Sequence, residues 1–251
     1  MATDGSLRVH LLGGLDVEGL TDREVASRKG RTLLKVLALA EGTPVPVGRL
    51  SLALWPSEPP SHPADQVCVL VSRLRHVVGA DRIVRTDGCY RLCTDWLDIE
   101  EVEQRVAAAE RALDDGHHEA ALMEATRAIS LVRGPLLPDD DGDWVDPVRT
   151  HVAGTIARAH HAAAAASAAT GDHVTAARAA DAALTHDPYD ELALRALMRA
   201  HAAAGRPSAG LARYVETRDR ISDDLGVELA AETEAVHDDL VLQRGIPTDL
   251  R

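Results

Sequence analysis

Two glycine-led pairs, Gly171-Asp172 and Gly205-Arg206, stand 34 residues apart in a stretch dominated by alanine, each closing one helical run and opening another. That spacing is the period of a stacked helical hairpin, and it constrains the second half of the chain more than any other feature. Helical periodicity spans residues 98–114, 117–132, 147–169, 173–186, 189–204, 207–223 and 228–243, and nothing after Trp96 has the pattern of a strand. Ala183-Leu184-Thr185-His186-Asp187-Pro188 has the residue order that closes such a repeat. An earlier hairpin pivots on Gly116, 55 residues before Gly171, so the loop from Gly134 to Pro147 must interrupt the array. One hairpin buries too little apolar surface to stand alone, and several must stack. The alanine run 162–169 fits close approach of helices in such a stack.

The first 95 residues read differently. Two β-prone runs within residues 7–20 flank Gly13-Gly14, a hairpin at a sheet edge. Helical spacing follows over Arg28–Glu41, ended by Gly42, and over Gly48–Trp55, stopped by Pro56. After the Pro59-Pro60 loop a third helix opens at Ser61, His62 and Pro63 and runs to Gly79. A second hairpin, Ile83 to Leu92, turns at Asp87-Gly88. The expected organisation is a domain over residues 1–95, an all-α domain over 96–245 and a tail over 246–251, mainly α with a small β component.

Charge is divided the same way. The chain of 251 residues carries a net −13, which taken whole argues against charge-driven adhesion to DNA or anionic membrane. Residues 1–95, however, hold 12 basic and 11 acidic side chains, net +1, and 96–251 hold 15 and 29, net −14. From Arg23 to Arg91 the balance is 11 to 6, net +5. Three cysteines cannot form a disulfide framework, which suits a reducing, cytoplasmic setting. The start lacks a basic cluster followed by an apolar region, and no apolar run approaches the roughly 20 residues of a membrane span, so no membrane partner is expected.

At about 100° per residue, the third helix turns Val67, Val71, Leu74 and Val78 to one side. The other side collects Asp65, Gln66, Val69, Ser72, Arg73 and His76, with Cys68 and Arg75 at its margins. In a major groove, arginine bonds guanine edges or phosphates, glutamine pairs with adenine and valine meets a thymine methyl. In isolation the pattern reads first as an ordinary amphipathic helix with a solvated basic end.

Context decides between these. Val71-Ser72-Arg73-Leu74-Arg75, preceded by Ala53-Leu54-Trp55 and a Pro-rich loop and followed by Arg85 and Tyr90-Arg91-Leu92, resembles the OmpR-type winged helix of Streptomyces antibiotic regulatory proteins. Downstream, Leu131-Val132-Arg133-Gly134-Pro135, the acidic loop with Trp144, Asp187-Pro188-Tyr189 with Leu194 to Met198, and Tyr214 through Leu225-Gly226-Val227-Glu228-Leu229 resemble the bacterial transcriptional activator domain of that family. The resemblance implies a winged helix-turn-helix followed by a tetratricopeptide-like helical domain. It implies an activator, of a biosynthetic gene cluster, that binds promoter double-stranded DNA as a homodimer and recruits RNA polymerase through sigma and other subunits. Its DNA-binding residues would be Gln66, Val69, Ser72, Arg73, Arg75 and His76 on the recognition helix, with Arg85 and Arg91 on the wing.

Three positions depart from the family pattern: Leu70, where a polar or aromatic side chain is usual, Cys68, where glutamine is common, and Cys89, where a glycine precedes the tyrosine. A positive φ at Cys89 would cost roughly 1 kcal/mol unless the turn passes through Gly88. Leu70, Cys68 and Asp65 motivate an alternative, a helical-repeat protein-interaction adaptor whose winged helix has lost specific DNA recognition.

Other chemistry has weak signals. Cys89 and Cys93, even with His10 or His62, lack a second ligand pair at zinc-site spacing and read as free thiols. His117-His118 and His160-His161 are adjacent and point to different helix faces, unlike an i, i+4 metal pair. Asp139-Asp140-Asp141-Gly142-Asp143 lacks the ligand alternation and distant Glu of a calcium loop and reads as a solvated acidic loop. No phosphate cradle, nucleophile elbow or triad stands out, so neither an enzyme nor a cofactor is expected.

Overall fold

The computed structural model describes residues 6–21, 25 and 27–243. It divides into two compact units: Met1–Glu103 with Leu131–Ala153, and Gln104–Ser130 with Gly154–Arg251.

In the first unit, β1 (Arg8–His10) pairs antiparallel with β2 (Asp16–Val17), Val9 opposite Val17, so the N-terminal hairpin forms as expected. On its other side β1 takes a parallel partner, β6 (Trp96–Leu97), which places a strand just beyond the expected boundary. A second sheet has the order β3–β5–β4, from β3 (Val45–Pro46), β4 (Ile83–Thr86) and β5 (Cys89–Leu92). In sequence α1 (Arg28–Ala38) lies between β2 and β3, and α2 (Val47–Leu54) and α3 (Pro63–Val78) lie between β3 and β4. Ser27 caps α1 by accepting from the Gly30 amide at 3.3 Å, and Pro63 opens α3 in the first turn, where its missing N–H is not needed. Leu33, Leu34 and Leu37 of α1, Leu50 and Leu54 of α2, and Val67, Leu70, Val71 and Leu74 of α3 are buried with Ile83, Tyr90 and Leu92. Residues 67, 70, 71 and 74 are one helical stripe. Leu70, 8% exposed, therefore belongs to the core and not to the outward face, while Val78 is only half-buried.

The loop from Gly134 to Pro147, expected to interrupt the helical array, closes on the N-terminal hairpin. Leu12 bridges Leu136, the Gly13 amide donates to the Pro135 carbonyl at 2.9 Å, and the Leu137 amide to the Leu11 carbonyl at 3.1 Å. The backbones touch here: a Cβ on Gly134 would lie 3.1 Å from the Gly13 Cα, and Gly13 itself has φ 89°. Asp98 is fully buried and accepts from the amides of Leu11, Leu12 and Ile99 at 2.8, 2.8 and 2.9 Å. Burial pushes its carboxyl up from the usual range, against the pull of those amides. The acidic loop is not simply solvated. Lys35 pairs with Asp140, and Arg149 donates to the carbonyls of Leu136, Leu137 and Asp140 at 3.1, 2.9 and 2.7 Å. A lysine 105 residues upstream supplies the countercharge that local sequence lacks.

The helices that follow are α4 (Asp98–Asp114), α5 (His118–Leu131), α6 (Asp146–Ala169), α7 (His173–His186), α8 (Glu191–Ala203), α9 (Pro207–Leu225) and α10 (Ala231–Gln243). The second unit takes α4 from Gln104, α6 from Gly154, α5 to Ser130 and α7 to α10, and the starts of α7 and α9, His173 and Pro207, keep the 34-residue period. Its larger core joins Ala176, Ala180, Ala183 and Ala193 to Leu194, Leu197, Met198, Tyr214 and Ile221. A smaller one gathers Ala109, Ala125, Ala162 and Ala163. Small side chains let backbones approach: a Cβ on Gly210 of α9 would lie 3.1 Å from the Met198 Cα of α8. Of the alanine run, 162, 163, 164 and 166 are buried, and 165, 168 and 169 are exposed. Asp172 and Asp190 cap α7 and α8 by accepting from the amides of Thr175 and Ala193. Among the described residues no helix is long and apolar enough to cross a membrane.

Candidate nucleic-acid interface

The stripe that buries Val67, Leu70, Val71 and Leu74 turns the opposite face of α3 outward. Gln66, Ser72, Arg73 and His76 are exposed there, and Val69 is 44% exposed, an apolar side chain left in water between polar ones. Asp65 is exposed in the first turn, where a carboxylate suits the helix dipole. Cys68 is half-buried at the edge, its Sγ 3.3 Å from the Tyr90 hydroxyl of β5. Burial pushes the Tyr90 phenol up, and the Cys68 hydrogen bond adds to the effect. Two of the three departures from the family pattern, Leu70 and Cys68, thus face inward.

Arg75 has another occupation. Its Nε and Nη2 both donate to the Ile83 carbonyl, at 2.9 and 2.5 Å, tying the last turn of α3 to the first residue of the wing. The third departure, Cys89, carries no strain. The positive φ values fall on Asp87 (51°) and Gly88 (76°), a two-residue turn of the kind that matches strand twist, and Cys89 pairs in register with Thr86. Register also sorts the wing arginines. Arg85 stands opposite Tyr90, its guanidinium carbon 5.6 Å from the ring centroid, on the side of the ladder that meets α3. Arg91 stands opposite Val84, and side chains alternate along a strand, so it projects from the other side. The fold brings Gln66, Val69, Ser72, Arg73, His76 and Arg85 to the α3 side of the unit, and Arg91 is not among them.

The cations of this segment divide into two populations. Lys29 donates to the Leu54 carbonyl at 2.9 Å and lies over the Trp55 ring, Lys35 pairs with Asp140, and Arg82 pairs with Asp95 at 2.6 Å. The Arg82 guanidinium holds the Asp95 carboxyl below its ordinary range. Arg28, Arg49, Arg73 and Arg91 are exposed without an ion pair among the described residues, and Arg85 has only its ring contact. Arg23 lies outside the described residues. Arg49, on the exposed side of α2, is a cation that motif reasoning passes over, because nothing in its neighbourhood marks a site.

The metal candidates come apart in space. Cys89 opens the extended β5 and Cys93 directly follows it, so four residue rises set their α-carbons roughly 13 Å apart. His160 stacks on His186 with ring centroids 5.3 Å apart, while His161 bonds Asp190 at 2.5 Å, so the adjacent histidines do serve different faces. No group of three or more His, Cys, Asp or Glu among the described residues is placed to hold a metal ion.

Residues 97–241 match the family model of the bacterial transcriptional activator domain. Over 230 residues the chain is 29% identical to the regulatory protein AfsR of Streptomyces griseus, covering 90% of this chain and 24% of AfsR. Over 225 residues it is 28% identical to the transcriptional regulatory protein EmbR of Mycobacterium tuberculosis, covering 86% of this chain and 58% of EmbR. The solved structure of M. tuberculosis EmbR in complex with a low-affinity phosphopeptide superposes with a TM-score of 0.86 at 27% identity, over 97% of this chain and 66% of that one. The chain thus spans about a quarter of AfsR and under two thirds of EmbR.

Proposed function

Because the chain belongs to the transcriptional regulators of the Streptomyces antibiotic regulatory protein type that carry the bacterial transcriptional activator domain, we propose that it activates transcription by binding promoter DNA through α3 and the wing. The observation that carries this reading is the outward face of α3. It presents Gln66, Val69, Ser72, Arg73 and His76 while every large apolar residue of the 67-70-71-74 stripe is buried. Arg73 offers the forked donors that read guanine, Gln66 the paired amide donor and acceptor that read adenine, and Val69 a methyl surface. Arg85 supplies a backbone or minor-groove contact from the wing. Arg75 acts one step removed, as a positioning residue that fixes the wing to the helix. Arg28, Arg49 and Arg91 add phosphate contacts or steering charge.

The same reading includes contacts that recruit RNA polymerase, and protomers paired on direct repeats, as the resemblance implies. No catalytic step enters it. Of the residues that motivate the adaptor alternative, Leu70 is buried and the Cys68 thiol lies against Tyr90, while Asp65 stays exposed, so that reading keeps one of its three supports.

Selection of genomic fragments bound by the purified full chain, followed by footprinting, tests the proposal. An enriched motif, with protection lost in the double variant Gln66→Ala plus Arg73→Ala, is the expected outcome. Fragments without a shared motif, together with a reproducible protein partner, would transfer the assignment to the adaptor. Run-off transcription from a footprinted promoter with purified polymerase holoenzyme tests recruitment, and the mass of the protein–DNA complex tests pairing.

A further inference from the structure

Within the second unit, α4, α6, α7 and α8 enclose a cavity of about 600 Å³ that the helical core leaves unfilled. Its wall is largely methyl groups: Ala162, Ala164, Ala180 and Ala193 are buried along it, and Ala165 and Leu192 are exposed at its opening. Leu192 is 53% exposed, so apolar surface faces water here without a partner. Five polar side chains reach the lining: Glu110, Arg158, His161, His173 and Arg199. Glu110 and Arg158 neutralise each other through two hydrogen bonds of 2.7 and 2.5 Å, and His161 is bonded to Asp190. Arg199 is different. It forms no ion pair among the described residues, although it also borders the neighbouring hollow lined by Asp239.

We propose that this cavity is a binding site for a small, largely apolar molecule carrying one anionic group, its body among the alanine methyls and its carboxylate or sulfonate at Arg199. The volume lies within the roughly 300–1,000 Å³ typical of small-molecule sites, and a methyl wall with one placed charge is the usual composition of such a site. A peptide is a poor match. An extended segment brings a backbone donor and acceptor at every residue, and this wall has almost nothing to bond them, so their desolvation goes uncompensated. A docked helix satisfies its own backbone, but a single turn with side chains is a cylinder of roughly 500 Å³, so most of a helix would remain outside. Charge sets the head group: in a net-acidic half of the chain, the unpaired charge at this cavity is positive.

Titration of the full chain with 1-anilinonaphthalene-8-sulfonate, an apolar anion, tests this without reference to DNA. The expected result is a saturable one-site fluorescence increase that decanoate reverses, with decanol and decylamine at least tenfold weaker as competitors. Arg199→Glu should weaken binding of the probe at least tenfold, and Ala165→Phe, at an exposed position of the lining, should abolish it, with melting temperatures by circular dichroism unchanged. Non-saturable binding, equal competition by decanol, or binding within twofold of wild type in both variants would overturn the proposal. None of these outcomes bears on the footprint of α3.

Discussion

Asp98 in the first unit and Gly210 in the second are both deeply buried, and they hold their surroundings together by opposite means. Asp98 gathers three backbone amides onto one carboxylate, joining the N-terminal hairpin to the start of α4. Gly210 contributes only the absence of a side chain, which lets α9 lie against the Met198 backbone of α8. The contrast runs through each unit. The first is closed by polar ties, Asp98 to Leu11 and Leu12 and Lys35 to Asp140 across long stretches of chain, and Arg149 to three carbonyls within one segment. The second is closed by alanines at hairpin spacing. Spending its interior cations on ties, the first unit still keeps Arg73 and Arg85 unpaired on the α3 side, where a polyanion would need them.

On this contrast, the largest single-site effect belongs to Asp98. Asp98→Ala leaves the Leu11 and Leu12 amides buried without an acceptor, a cost of about 3 kcal/mol. Asp98→Asn, which keeps one carbonyl acceptor, should cost about half as much. Urea unfolding measures the total, and hydrogen exchange at Leu11 and Leu12 localises it. Gly210→Val should follow at about 2 kcal/mol, because the new Cβ meets backbone and not a side chain that can swing away. A Gly210→Val variant as stable as the parent would show that the α8–α9 contact is looser than the alanine packing implies.

The outer face of α3 comes next. Arg73→Ala should weaken specific binding by about 2 kcal/mol, roughly 30-fold, and relax the preference at one base pair. Arg85→Ala should act more evenly across sequences and lower the salt slope by about one. Five cations of this unit meeting phosphates would set the parent slope of log affinity against log salt at roughly −4 to −5. Arg75→Ala provides the sharper comparison: it should move both properties modestly by loosening the wing, and Arg75→Lys, which retains a donor, should restore part of the loss.

Much of this was readable in the chain beforehand, for a physical reason. Helices of 11 or more residues repeat their apolar positions often enough to be seen, so α1, α3 and α4 to α10 stand within a few residues of their expected bounds. The strands β3 and β6 are two residues each, too short for alternation to show, and each exists only because a partner strand lies alongside. Leu70 shows the limit of comparison with family positions: at three and four residues from Val67 and Leu74 it completes the buried stripe, although it stands where the family pattern has a polar or aromatic side chain. The outward residues of α3 follow from periodicity alone. What periodicity does not contain is which arginine is already bonded, and Arg75 differs from Arg73 only through a carbonyl eight residues away on another element.

Titration separates the units as well. His160 is buried against His186, and burial, with the charges of His186 and His161 adding to it, lowers its pKa to about 4. Above pH 6.5 the ring is neutral in both folded and unfolded chains and costs nothing. As pH falls from 6.5 toward 4 the unfolded chain takes up the proton and the folded one does not, so stability is lost across that window and levels off below it. The loss should be on the order of 2 kcal/mol, allowing for solvent near the ring pair. His160→Gln should flatten the dependence between pH 6.5 and 4 in urea titrations, and hydrogen exchange should assign the lost protection to α6 and α7. An unchanged profile would mean that the His160–His186 pair opens before it charges.

The smallest effect should come from the ion pair of Lys35 and Asp140, and it sharpens the division of cations most directly. Both side chains are 14% exposed, so their attraction is less screened than at the surface, but desolvating two charges offsets most of the gain. Lys35→Met should cost about 1 kcal/mol, because Asp140 is left half-buried with its backbone carbonyl still held by Arg149. Asp140→Asn should cost about the same, and the double variant less than the sum, since a matched neutral pair leaves no orphaned charge. The decisive measurement is again the salt slope. Lys35 adds to the +5 count yet is already neutralised inside the unit, so Lys35→Met should leave the slope for DNA unchanged where Arg85→Ala reduces it. A slope that fell equally in both would place the Lys35 ammonium on the phosphate backbone and would dissolve the distinction between tying and reading cations.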